Sequence, residues 1–224
     1  MCRSLPKPTV GIAAVKLYDC ETAPNPRRVR IFLAEKGISV PMVQVDLRNA
    51  AQLEPDYMRL NPFGLVPMLE LDDGTRIGES VAICRYFEEL HPEPPLMGID
   101  PLDKAVVEMW QRRVEMIGFD AAGDVLRNRA RGMAGRAVAG VKEETAQIPE
   151  LVERGLQTIG RFYRQLDERL GESPFIAGER FTIADITGLC MVDFAKWSKI
   201  TIPEDQENLL RWYETVSARP SAAA

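Results

Sequence analysis

Residues 61–88 read NPFGLVPMLELDDGTRIGESVAICRYFE, and this stretch decides the fold. A Val-Pro step, Val66–Pro67, enters a short apolar run from Met68 to Leu71. Asp72-Asp73-Gly74 then turns the chain into Thr75–Ile77. An Asp-Gly turn between two short β-like runs reads as a hairpin, because glycine takes the positive φ that such a turn needs. Gly78-Glu79-Ser80 follows and opens an amphipathic helix, with Ser80 as the expected N-cap, its hydroxyl accepting from first-turn N–H groups. Val81, Cys84, Phe87 and Leu90, with Ile83 beside them, form the expected apolar face.

The same residues outline a binding site. Proline cannot donate to a β ladder, so Pro67 belongs at a strand start or edge. An X-Pro bond reaches the cis form at a cost of only about 0.5–1 kcal/mol. A cis turn at Val66–Pro67 would present the Val66 N–H and C=O to an extended peptide. The Ser80 helix start offers donors and a partial positive charge to a carboxylate, and Glu79 beside it suits an ammonium. A small peptide carrying both groups fits. A hairpin followed by a capped helix, with no ligand, accounts for the same residues.

Upstream, Val15–Tyr18 is a short β run, and DCETAPNP, residues 19–26, is a loop. Pro26 can sit in a first helical turn, where its missing N–H costs nothing. That helix carries Val29, Ile31, Phe32 and Leu33 and stops at Gly37. Val40–Val45 is a second strand, and Asp46–Arg59 a loop with one short helix. The order β-α-β-α-β-β-α matches a thioredoxin-like domain.

Downstream, HPEPPLMGID, residues 91–100, is a proline-rich boundary. No strand-like alternation follows. A helix starts at Pro101 and carries Val106, Met109, Trp110 and Val114; a break is expected around Gly132–Gly140. A second long helix opens at Pro149 and ends at Gly171, and a last short one covers Asn208–Ser217. In FTIADITGLC, residues 181–190, Thr182 and Asp185 form a capping-box variant with Asp in the usual Glu/Gln place; Phe181 and Ile186 could staple it. Its expected role is structural. The expected organisation is a leader at 1–14, an α/β thioredoxin-like domain at 15–91, a linker at 92–100 and an all-α domain at 101–220.

Composition narrows the function classes. The chain has 224 residues, 46% hydrophobic and 27% charged, enough for two modest packed domains. With 28 basic against 33 acidic residues, the net charge of −5 argues against nucleic acid or an anionic membrane as partner. No apolar run is long enough to span a bilayer. Cys2, Cys20, Cys84 and Cys190 are scattered and His91 is the one histidine, so no metal site is expected. Scattered cysteines without a signal peptide fit a reducing cytoplasm.

Together the Val-Pro step, hairpin and Glu-Ser helix resemble the glutathione-binding half of the glutathione transferases, and the resemblance runs from about Val15 to Pro220. It implies that the Val66 backbone, at a cis Pro67, pairs with the cysteinyl residue of glutathione as co-substrate. It also implies that Glu79 and Ser80 hold the γ-glutamyl end. The thiol must react as thiolate, and the family supplies a Tyr, Ser or Cys donor from the loop after the first strand. Thr22, two residues before Pro24 where the Ser-type classes place serine, is the first candidate. Tyr18 lies too early, and Cys20 is three positions upstream of the place the thiol-type classes use, now Ala23.

The segment Tyr18–Lys36 most resembles a fungal and bacterial subgroup without an orthodox donor, in which a water held by a helical-domain His is implicated. That His does not carry over; Arg127 and Asn128 occupy the matching region. Thr22, Cys20, a backbone group and a water therefore stay open as activators. Asn25, Arg27 and Gln52 are further candidate binding residues by the same resemblance, with Arg28 and Arg30 beside Arg27. An electrophile pocket is implied near Met109, Trp110, Arg113 and Ile117, and the family usually forms a homodimer. The alternatives are a non-catalytic glutathione- or ligand-binding or protein-interaction member of the same fold, or Cys20-dependent thiol exchange.

Overall fold

The structure is a computed structural model, and it describes residues 15–224. The expected leader, 1–14, lies outside the described residues. The first half is β1 (Lys16–Asp19), α1 (Pro24–Lys36), β2 (Met42–Gln44), α2 (Pro55–Leu60), β3 (Met68–Glu70), β4 (Arg76–Gly78) and α3 (Ser80–Leu90). A single 3-10 turn, Ala51–Leu53, precedes α2. The sheet order is β2-β1-β3-β4, with β1 and β2 parallel and the pairs β1–β3 and β3–β4 antiparallel. Leu17 on β1 faces Met42 and Leu69, which ties both neighbours to one register.

The hairpin closes as its residues dictate. The Leu71 N–H bonds to the Thr75 carbonyl, and Gly74 takes a φ of +82°. β2 is shorter than the Val40–Val45 run, and its residues are exposed, as suits an edge strand. At α1, Pro24 occupies the first turn and Gly37 closes the helix at φ 65°, donating back to Ala34 and Leu33.

The helical half comprises α4 (Pro101–Arg113), a π-helical turn (Val114–Phe119), α5 (Asp120–Arg129), α6 (Pro149–Glu172), α7 (Ile183–Lys196) and α8 (Glu207–Ser217). Residues 130–148 connect α5 to α6 with one 3-10 turn and no longer element, where a break was expected. α4 and α5 are thus one axis interrupted by the π turn, where Gly118 leaves room for the Phe162 ring.

One core runs through both halves. Leu17, Ile31, Phe32, Leu69 and Ile83 join Val114, Phe162, Leu166, Ile186 and Met191 in a single buried cluster. Polar ties reinforce the seam: Arg27 pairs with Asp193 at 2.7 Å, and Arg219 with Glu35 at 2.7 Å. A smaller cluster of Cys20, Ala23, Val45, Tyr57 and Val66 packs separately from it.

α7 is buried along nearly its whole length. Asp185, at its start, is 0% exposed and accepts four bonds, from the Ile176 N–H, the Trp212 indole N–H, and the Thr182 N–H and hydroxyl. The capping pair read in the sequence is present, and it also anchors α8 through Trp212.

Candidate functional site

The site grows from the loop that precedes β3. Pro67 is in the cis form. Just before it, the Leu65 carbonyl is gripped by the Tyr57 hydroxyl at 2.7 Å and by the Asn61 side-chain amide at 2.8 Å. Asn61 also accepts from the Phe63 N–H at 3.2 Å. Burial pushes the Tyr57 hydroxyl up to about 12, so it remains a donor throughout the neutral range. With Leu65 fixed, the Val66 N–H and C=O have no partner among the described residues. They are left to an incoming strand.

A cleft of about 320 Å³ opens there, lined by Val66, Pro67, Glu79, Ser80, Asn25 and Phe63 among others. Its far end is the start of α3. Ser80 differs from the sequence expectation. It is the first helical residue, and Glu79 takes the cap position without a side-chain cap bond. The Ser80 hydroxyl instead donates to the Asn25 carbonyl at 3.1 Å and accepts from Arg28 at 3.3 Å. The reason is α1 packed across the start of α3: its Asn25 carbonyl takes the hydroxyl proton and its Arg28 donates to the oxygen that a cap would turn to a first-turn N–H. Ser80 is therefore buried while still lining the cleft.

Glu79 is exposed with φ 62° and ψ 121°, a conformation costly for a residue with a Cβ. Such strain costs about 1–3 kcal/mol and is found where a site demands it. Leu90 also departs from the expected face of α3, being 43% exposed; the buried face is Ile83, Cys84, Phe87 and Glu88.

The other sequence candidates fall in different places. Thr22 is exposed in the β1–α1 turn and does not line the cleft, although Asn25 three residues later does. Its hydroxyl lies 3.6 Å from the Cys20 sulfur. Arg27 points away, its guanidinium bound to Asp193 and to the Ala222 carbonyl at 3.0 Å. Gln52 is buried outside the cleft wall, with an unpartnered side-chain oxygen. Trp110 carries the Arg113 and Arg169 guanidiniums over its ring at 4.8 and 5.4 Å and does not line the cleft. The Cys84 and Cys190 thiols are pushed up by burial, which removes them as nucleophiles.

Two further arginines hold the site from behind. Arg30 is buried against Asp19 at 2.6 Å and donates to the Glu21 carbonyl at 2.8 Å, while Gln44 holds the other Asp19 oxygen at 2.6 Å. This network fixes the Cys20–Thr22 turn from beneath. Arg28 is 4% exposed and reaches Glu115 on the π turn at 2.7 Å. Nothing in RRVR distinguishes these two arginines from Arg27; only the packing of α1 assigns the three.

A thioredoxin-like sheet with a cis-prolyl cleft, continued by an all-helical half, defines the class. The chain belongs to the glutathione S-transferase family: the family's N-terminal domain model matches residues 22–90 and its C-terminal domain model residues 130–220. It is 37% identical over 209 residues to glutathione S-transferase 2 of Saccharomyces cerevisiae, covering 92% of this chain and 86% of that one. It is 30% identical over 212 residues to glutathione S-transferase F13 of Arabidopsis thaliana, with 93% of each covered. Among solved structures, a glutathione S-transferase domain-containing protein of Marinobacter aquaeolei VT8 superposes with a TM-score of 0.86 at 38% identity, covering 92% and 98% of the two chains. Gtt2 of Saccharomyces cerevisiae superposes at 0.85 with 35% identity, covering 92% and 97%.

Proposed function

We propose that the cleft at Val66–Pro67 binds glutathione and that the protein transfers its thiolate to an electrophilic carbon of an apolar substrate. One observation carries the reading. The unpaired Val66 backbone beside cis Pro67 shares a single cleft with Glu79, Ser80 and Asn25. In this pose Val66 pairs with the cysteinyl residue, Glu79 meets the γ-glutamyl ammonium, and the Ser80–Asn25 end takes its carboxylate. Arg27 and Gln52, which lie elsewhere, have no part in this pose.

The thiol proton leaves to water as the thiolate forms; the sulfur then bonds to carbon, and with an aryl halide the halide departs with the bonding pair. A free thiol titrates near 8.5, so lowering that by about two units requires about 3 kcal/mol of thiolate stabilisation. Thr22 is the proposed hydroxyl donor. The family works on small electrophiles, and we extend to this chain a cytoplasmic homodimer, in which the exposed Phe63 beside the cleft would be covered.

The test is retention on glutathione-agarose together with conjugation of a generic aryl halide by wild type, Thr22→Ala and Cys20→Ser. The expected result is retention of all three and a loss in kcat/KM of about tenfold to hundredfold for Thr22→Ala alone. The 3.6 Å contact between Cys20 and Thr22 makes thiol exchange the second reading. Activity lost only in Cys20→Ser would establish that reading over the first.

A further inference from the structure

We infer that Arg28 is a positioning residue that makes the Asn25–Ser80 end of the cleft a receptor for a carboxylate; the inference rests on the cleft being the glutathione site. Arg28 sits behind the cleft rather than in it, 4% exposed and outside the lining. One arm of its guanidinium donates to Glu115 at 2.7 Å. The other donates to the Asn25 side-chain oxygen at 2.8 Å and to the Ser80 hydroxyl oxygen at 3.3 Å. Its face lies over the Phe119 ring at 4.9 Å.

A guanidinium only donates, so it dictates the orientation of whatever it touches. Asn25 must turn its carbonyl oxygen to Arg28, which leaves its NH2 on the opposite side; no acceptor among the described residues takes that NH2. Ser80 spends a lone pair on Arg28, so its proton has to point elsewhere. That proton goes to the Asn25 carbonyl at 3.1 Å. A carboxylate arriving at the α3 N-terminus competes for it.

Both wall groups are thereby set as donors, beside the free N–H groups of the α3 first turn. Asn25 and Ser80 as donors, backed by a buried cation, favour an anion at their end of the cleft and leave a neutral methylene unmatched. Glu115 holds the fork in place and ties it to the π turn of the helical half. A lysine would have to meet Glu115, Asn25 and Ser80 from one nitrogen, without the planar fork that spaces the two arms. On glutathione the anion at this end is the γ-glutamyl α-carboxylate.

The experiment is calorimetric titration of the full chain with glutathione and with the analogue carrying 4-aminobutyrate in place of the γ-glutamyl residue. That analogue keeps the ammonium and lacks only the α-carboxylate. For Arg28→Met the expected loss is about tenfold or more in affinity for glutathione and less than about twofold for the analogue. The double variant Arg28→Met/Glu115→Gln, which leaves no unpaired carboxylate, is expected to discriminate the two ligands in the same way. So is Arg28→Lys, which keeps the charge and loses the fork; it carries the test should the methionine variants not fold. Equal losses on both ligands, or unchanged glutathione affinity, would overturn the inference while leaving the site intact. A wild type that binds neither ligand would overturn the site and the inference together.

Discussion

The two halves of this chain hold their shape by different means. In residues 15–91 short-range chemistry does most of the work: a glycine at a turn, a proline at a strand start, a proline at a helix start. In residues 101–220 the decisive contacts are long-range and buried. Asp185 binds Trp212 across 27 residues, and Glu115 reaches back 87 residues to Arg28. The first half shapes a cleft, and the second holds the cleft's back wall in register.

The largest break in this comparison should come from Asp185→Ala. It would orphan four donors in a fully buried place, for a loss of about 3–5 kcal/mol in denaturant-measured stability. Melting within about 0.5 kcal/mol of wild type would show that α7 does not depend on the pair. The same group carries a pH signature. Burial pushes its carboxyl up to about 6 from an ordinary 3.8, against the pull of its donors. The protonated form is thus favoured in the fold, so the part of stability linked to this proton is full below about pH 4 and is lost as pH rises through about 6. Wild type should lose stability relative to Asp185→Asn across that window, and a flat difference would contradict the shift.

A smaller effect should follow from Gly140→Ala, where the two halves cross. Gly140 has φ 76°, and a Cβ there would overlap the Phe63 carbonyl oxygen. Gly64 stands opposite, its own Cβ position 2.8 Å from the Gly140 carbonyl oxygen. The expected cost is about 2 kcal/mol of stability, with weaker retention on glutathione-agarose because Phe63–Val66 must move. Unaltered retention would show that the 130–148 connection merely lies against the cleft wall.

Smallest is Glu79→Gly, which relieves the positive φ. It should gain about 1 kcal/mol in stability while losing affinity for glutathione. A variant that gains neither stability nor loses affinity would mean that the strained residue serves no site.

Much of the first half was legible because its signals are local. The hairpin, the cis-capable Val66–Pro67 step and the Pro24–Gly37 helix each depend on residues within a few positions of one another. Ser80 was misread as a cap because its hydroxyl bonds to Asn25, 55 residues away, which no local rule reports. Leu90 was placed on the buried face for a similar reason: the period is correct, but the face that packs, chiefly against α1, is rotated toward Glu88. The helical half yielded its helices and the Thr182–Asp185 pair, which are periodic or local. It did not yield the π turn or the Arg28–Glu115 tie, since charge spacing in RRVR and RRVE looks like any solvated helix face.

The central claim is that the Val66 backbone beside cis Pro67 is kept free for the cysteinyl residue of glutathione. Amide hydrogen exchange at Val66, followed with and without saturating glutathione, tests it most directly. The account predicts that Val66 exchange slows at least about tenfold on binding while the Leu71 amide, already paired to Thr75, is unchanged. Glutathione that binds, yet leaves Val66 exchanging as in the free protein, would contradict it.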